Sequence, residues 1–390
     1  MKLGLIFSND WELFGDGSGN YFDIQHQPLQ DLLHTIENHG AKLTVMAEVA
    51  QQWAHQHIAE RHEWARDVVE AWESILKQTI KKKHDVQLHL HPQWLNALYD
   101  NNEDKWHVDL NQWSLSSLTP ETMQKSLKEG KQYLDKILQP IDPRYECIAF
   151  RAGAYCIQPS KVAMQCLSSA GIMCDSSVIK GKYDPHFFDY RDAYSNIIPW
   201  LACREDIRYK SNGEEGLLEI PIYSHEGIDF PLLRKAVSQE LFYKICYGVS
   251  ISETERRWFS EREKILSQRY PLRNRPYQRS ADAHFMKKFK RFWSKFFISR
   301  KLFVLDYDTI PSQLFIKFLQ NIYDIMQIHK WENSGAFMPV MAIGHTKNIH
   351  NCEHMNRILH EINKILRDKV TYITLSDSIR YWLKEGSSRP

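Results

Sequence analysis

His89 and His91 lie two residues apart in Asp85-Val-Gln-Leu-His-Leu-His91, where apolar and polar residues alternate strictly. On a β-strand that spacing turns both imidazoles to one face, about 6 to 7 Å apart along the chain, close enough to share a metal ion. An isolated pair of this kind is more often the ordinary polar face of a strand, so its company decides its meaning. Asp10 and Glu12 follow the apolar run Leu3 to Phe7 and offer one carboxylate for a metal and another for a general base. Phe150-Arg151-Ala152-Gly153-Ala154-Tyr155 also follows a strand signal, and a guanidinium there can hold a carboxylate in two hydrogen bonds and keep it ionised. Ile343-Gly344-His345-Thr346 places a further histidine after a late strand. Singly, these read as capping acids, a rim ion pair and a structural histidine. Together, four strand ends in chain order carry acid, paired histidines, arginine and histidine, a set much less expected by chance than any one member.

Such groups meet only if their strands run parallel and end at one mouth, as in an α/β barrel. Strand signals at Leu3 to Phe7, Leu43 to Met46, Asp85 to His91, Cys147 to Phe150, Leu217 to Tyr223, Met338 to Ile343 and Val370 alternate with helical ones. Leu29, Leu32, Leu33 and Ile36 form an apolar stripe after Pro28, and a long helical stretch covers roughly 48 to 80. Thr119-Pro120-Glu121 caps a helix running to about Leu138, and Pro159 to Ala170 is a helix closed by Gly171. Pro311 opens a helix with Leu314, Phe318, Leu319, Ile322, Ile325 and Met326 on its apolar face, and another spans about 352 to 366.

Between 226 and 305 the alternation fails. The expected organisation is therefore a barrel begun by 1–225, interrupted by an insertion at 226–305 and completed by 306–390. Within the insertion, Phe285, Phe289, Phe292, Trp293 and Phe296 recur at helical spacing, with Lys287, Lys288, Lys290, Arg291 and Lys295 on the remaining arc. The aromatic stripe can pack on the barrel while the lysines face water. Alternatively, residues 285–301 dock peripherally on an anionic membrane, or cover the site and grip a phosphate-bearing substrate.

Lys+Arg of 50 against Asp+Glu of 48 leaves no global field that would draw nucleic acid. Met1 to Phe7 is too short for a signal peptide, and no apolar stretch is long enough to span a bilayer. Seven cysteines without a CxxC pair argue against both a disulfide framework and a zinc knuckle. A cytoplasmic protein with reduced thiols is expected, with peripheral contact at the inner membrane face as the one exception.

The chain resembles the polysaccharide deacetylase superfamily (NodB homology, carbohydrate esterase family four and relatives), and within it a WbmS-like branch from surface-polysaccharide gene clusters. The carrying segments are FSNDWE (7–12), VQLHLHPQW (86–94), FRAGAY (150–155), GIMCDSSV (171–178), LEIPIYS (218–224) and AIGHTK (342–347), in the family's order. The resemblance implies a distorted (β/α)7 barrel of the glycoside hydrolase/deacetylase type holding one divalent metal. Zinc is expected there, with cobalt, manganese, nickel or iron as substitutes. It also implies that Glu12, His89 and His91 ligate the metal, with Asp10 as the alternative carboxylate, and that Asp10 is the general base. Arg151 would orient Asp10, His345 would protonate the leaving amine, and a backbone N–H near Tyr155 would face the oxyanion. The implied activity is removal of an acetyl or formyl group from the nitrogen of an amino sugar, nucleotide-linked or lipid-linked, in O-antigen or other surface-polysaccharide biosynthesis. Three departures stand out: Asp-Trp-Glu replaces paired aspartates, HxH replaces HxxxH, and Gly153-Ala154 stand where many relatives carry prolines.

Two other functions compete. A metallophosphoesterase would also mix Asp and His ligands, and Gly15-Asp16-Gly17 superficially matches the GD turn of such enzymes, but their Asn-His-Glu block is missing. A non-catalytic glycan-binding barrel would have little need of acid, arginine and both histidines together.

Overall fold

The computed structural model describes residues 2–213, 216–230, 233–234, 237–269, 299–329 and 337–384. At its centre runs β1 (Lys2–Trp11), buried from Leu3 onward, as a parallel strand covered on both faces must be. Alternate side chains face opposite ways. Leu3, Leu5 and Phe7 enter the large core under the helices, whereas Ile6 enters a smaller cluster with Met46, Ile148, Cys174, Ile220, Met341 and Ile343. Strands that all turn one face toward a shared apolar centre have to curl around it.

The resulting α/β fold has one curled, mainly parallel sheet. Moving away from β1 in one direction come β2 (Leu43–Glu48), β3 (Asp85–Leu90), β4 (Ala149–Ala152), β5 (Cys174–Asp175) and β6 (Leu218–Glu219). Residues Trp200–Leu201 pair antiparallel with the far edge of β6. An antiparallel pair, β7 (Ser224–Asp229) and β8 (Ser299–Val304), forms a separate ladder. The chain then returns as β9 (Phe337–Gly344), parallel to β1 on its other edge, and β10 (Val370–Tyr372) pairs with Leu3–Leu5.

Beyond Glu219 the backbone crosses over. Ile222 N–H donates to Val178 O at 3.0 Å and Tyr223 N–H to Met341 O at 3.1 Å, so the end of the β6 segment links β5 back toward β9.

The helices largely follow the sequence expectation. They are α1 (Gln27–Asn38), α2 (Val49–Ile58), α3 (Glu63–Lys81), α4 (Pro120–Leu138), α5 (Ser160–Ser169), α6 (Gln239–Tyr247), α7 (Glu253–Arg269), α8 (Ser312–Ile328), α9 (Glu353–Ile365) and α10 (Leu375–Lys384). In α1 the four expected apolar residues are buried. Thr119 caps α4 by accepting from Thr122 N–H at 3.2 Å.

Four readings need correction. The single stretch 48–80 is two helices, because His62 takes an extended backbone (φ −134°, ψ 113°) and starts a new one. The strand expected at Cys147–Phe150 starts at Ala149 and carries Arg151 inside it. Of the β-like run Leu217–Tyr223, only Leu218–Glu219 forms a regular strand, because its later residues change partners. Ile325, placed on the apolar stripe of α8, is 38% exposed, since the buried arc runs through Leu319, Ile322 and Met326.

Residues 226–305 contain most of β7, then α6, α7 and β8. The basic aromatic helix expected at 285–301 lies outside the described residues up to 298, and 299–301 belong to a strand instead. Among the described residues no helix is long and apolar enough to cross a membrane. All seven cysteines are free.

Candidate active site

Alternation along the strands decides what enters the site. Thr44, Met46 and Glu48 share the inward face of β2, Gln87 and His89 that of β3, and Ala149 and Arg151 that of β4, opposite the residues packed beneath the helices. Strand register then sets height: Glu48 is level with His89, and His89 with Arg151. Trp11 is level with Ala47, so Glu12, one residue on, arrives beside Glu48. A row of charged groups therefore lies across the top of an apolar interior.

Two clusters form in that row. In the first, His89 Nε2 stands 3.3 Å from Glu12 Oε2, and His91 Nε2 contacts the same oxygen. Glu48 completes it: one donor atom from each of Glu12, Glu48, His89 and His91 lies within 4.8 Å of all the others. All four residues are at most 4% exposed. His89 Nδ1–H donates to Arg151 O at 2.8 Å, which fixes the ring and leaves Nε2 aimed at the acids. His91 Nδ1 meets the Gln93 amide nitrogen at 2.9 Å, while Gln93 Oε1 has no partner. Rotating that amide would let Oε1 accept from Nδ1–H and free the Nε2 lone pair for an ion. Gly153 makes the fit possible: a Cβ there would lie 2.5 Å from His91 Cγ.

In the second cluster, Arg151 Nη1–H donates to Asp10 Oδ1 at 2.6 Å and to Ser8 Oγ at 3.0 Å, and Arg151 Nε–H donates to Ser176 O at 2.8 Å. His345 Nε2 lies 3.6 Å from Asp10 Oδ2, with its Nδ1 3.9 Å from Asp308 Oδ2. Asp308 also accepts the His345 backbone N–H at 2.5 Å.

The charges sort the two acids. Burial pushes Glu12 up, but His91 and Lys347 outweigh it and hold the carboxyl well below its usual range. Asp10 is likewise pushed up by burial and pulled lower on balance by Arg151, His89 and His345. Against its own burial, Asp10 and Glu12 lift His89 to about 9. His345 goes the other way: burial takes it down to about 4 despite Asp10.

The structure thus brings together Asp10, Glu12, His89, His91, Arg151 and His345. Tyr155 is beside them, with φ +65° following Ala154 at φ +50°, left-handed conformations that cost non-glycine residues about 1–3 kcal/mol each. Its carbonyl accepts from Tyr190 OH at 2.6 Å, and Lys182 Nζ sits 3.9 Å above its ring. Asp16 does not join: its Oδ1 accepts from Ser18 N–H at 3.0 Å and Ser18 Oγ–H at 2.6 Å, closing a local turn.

Sequence reasoning missed Glu48, Asp308 and Lys347. Lys347 Nζ contacts Glu12 Oε1 and was visible only as the last letter of AIGHTK. Glu48 had a signal, an acid two residues past Met46 on the same strand face.

An ion-binding role fits on two grounds. The buried Glu48 Oε2 has no hydrogen-bond partner, although buried polar atoms normally find one. The donors are also imidazole and carboxylate without thiolate, which suits a first-row divalent ion.

No family model matches the chain and no curated protein matches its sequence. Solved structures similar in backbone include two proteins described as polysaccharide deacetylases. One, from Mycobacterium smegmatis, is 11% identical with a TM-score of 0.43, over 100% of this chain and 93% of that one. The other, from Pseudomonas aeruginosa, is 11% identical with a TM-score of 0.40, over 98% of this chain and 91% of that one. A GH57 branching enzyme from Thermococcus kodakaraensis is 10% identical with a TM-score of 0.45, over 98% of this chain and 72% of that one. What the site can do rests on its own residues.

Proposed function

We propose that the chain is a metal-dependent amide hydrolase on a distorted seven-stranded α/β barrel, removing an acetyl or formyl group from the nitrogen of an amino sugar. The observation that carries the reading is the division of two acids two residues apart: Glu12 faces both histidines, whereas Asp10 faces Arg151 and His345. One carboxylate is placed to bind an ion and the other to move a proton, and hydrolysis of an unreactive amide needs both.

A divalent ion held by Glu12, His89 and His91 would supply Lewis acidity, making water a stronger nucleophile and polarising the acyl carbonyl. Asp10 takes the proton that water loses on attack. Arg151 keeps Asp10 ionised and in place while the pair is dry. His345, neutral beforehand because burial holds it near 4, receives that proton across the 3.6 Å gap to Asp10 and delivers it to the departing amine. Proton transfer of this kind contributes about 10²- to 10⁴-fold. The backbone around Tyr155, held in its left-handed turn, is the donor assigned to the oxyanion. An amino sugar as substrate, its place in surface-polysaccharide synthesis and peripheral contact with a membrane through residues 285–301 rest on the motif resemblance.

The deciding experiment is metal analysis of the purified protein together with a screen for acetate and formate release from N-acylated amino sugars, nucleotide-linked and lipid-linked. Release that depends on added metal and disappears in Asp10→Asn supports the reading. A protein that retains no first-row metal and releases neither acid from any member of the panel refutes it.

A further inference from the structure

Glu48 is the most deeply placed acid of the site, and none of the roles above uses it. Its position is set twice over. As the last residue of β2 it faces inward at the height of His89. As the residue before α2 it caps that helix, with Oε1 accepting from Ala50 N–H at 2.9 Å and Gln51 N–H at 3.4 Å. These bonds hold one oxygen at the helix N-terminus and turn the other inward. The residue is 0% exposed, and Oε2 has no partner. One oxygen of this carboxylate belongs to the set of four donors within 4.8 Å of one another. Burial pushes the Glu48 carboxyl up toward its neutral form, and a cation seated against the unpartnered oxygen would hold it ionised.

We infer that Glu48 is a fourth protein ligand, making a two-histidine, two-carboxylate site for a divalent ion with a five- or six-membered shell. This deepens the proposed function and rests on it. Charge supports the inference: with both imidazoles deprotonated, as ligation requires, the two carboxylates sum to −2, matching the ion. Ligand number supports it too. Four protein donors would close a tetrahedral shell and leave no position for water, whereas catalytic sites keep one open. An ion that accepts more ligands retains room for both water and the acyl oxygen. The ions that do so with oxygen and imidazole donors are of the manganese, iron, cobalt and nickel class. The site therefore differs in ligand count from the single carboxylate and two histidines that the sequence motifs imply.

The test uses Co²⁺ as the probe on the full chain, measuring affinity by chelator competition and ligand field by visible absorption. Wild type should give the weak bands of a five- or six-coordinate ion. Glu48→Gln keeps a capping oxygen but loses the charge, so it should bind Co²⁺ at least about 10-fold more weakly and with shifted bands. Glu48→Asp should recover part of the affinity, and metal-free thermal melts of both variants should match wild type. A Glu48→Gln spectrum superimposable on that of wild type overturns the assignment, and an intense tetrahedral spectrum from wild type overturns the expanded shell. His89→Ala separates the two levels. If it loses Co²⁺ while Glu48→Gln is unaltered, only the fourth ligand is wrong; if it binds like wild type, the metal site itself is wrong.

Discussion

Arg151 and Asp10 form an ion pair from which water is excluded, Nη1 to Oδ1 at 2.6 Å, with the guanidinium 0% and the carboxylate 3% exposed. Removing one member of such a pair strands the other charge in a dry interior, at a cost of about 3–5 kcal/mol. Arg151→Met should lower unfolding free energy by that amount, measured by urea denaturation, and should abolish turnover. A variant that stayed within about 1 kcal/mol of wild type would mean that Asp10 had simply become protonated.

Asp10→Asn should reduce kcat by at least about 10²-fold, the usual contribution of a general base, and leave bound metal unchanged. His345→Ala should do the same. Steady-state rates paired with elemental analysis check both, and loss of metal in Asp10→Asn would move that residue into the ligand set.

Divalent metal should stabilise the fold. At a free concentration of about 100 times Kd the gain is roughly 2.7 kcal/mol, visible as a rise in Tm that a chelator reverses. His89→Ala should show no such rise, whereas Asp10→Asn should.

Asp175 and Glu219 face each other across β5 and β6. Burial pushes both carboxyls up, Glu219 furthest because Asp175 also opposes its charge. A carboxyl raised in the folded state contributes stability below its unfolded pKa and loses it as pH rises through the folded value. Urea midpoints should therefore fall as pH rises above the ordinary carboxyl range, and Glu219→Gln should flatten that fall. An unchanged slope in the variant would place the pH dependence elsewhere.

Much of the site was legible because alternation on a strand is unambiguous. Once His89 is put on a strand its inward direction follows, whereas Arg151 was read as following its strand and lies within it. Glu48 was lost because the strand was ended at Met46 and residue 48 was read as the start of a helix. Which of Asp10 and Glu12 faces the histidines could not be read from sequence. Asp10 faces inward on β1 and Glu12 follows just past its end, and only the assembled sheet shows Glu12 meeting His89 and His91 while Asp10 meets Arg151. Asp308 was hidden for a different reason. It precedes α8 in a segment without strand periodicity, and reaches His345 only because Leu305 and Tyr307 bond to Ile343 on β9.

The missing side chain at Gly153 is what seats His91. Its imidazole occupies the volume that any Cβ at 153 would claim, 2.5 Å from Cγ. Even the smallest replacement, Gly153→Ala, would therefore press on the ring and swing it away from Glu12, so the tolerance of this position is set by the histidine it faces and not by its own backbone.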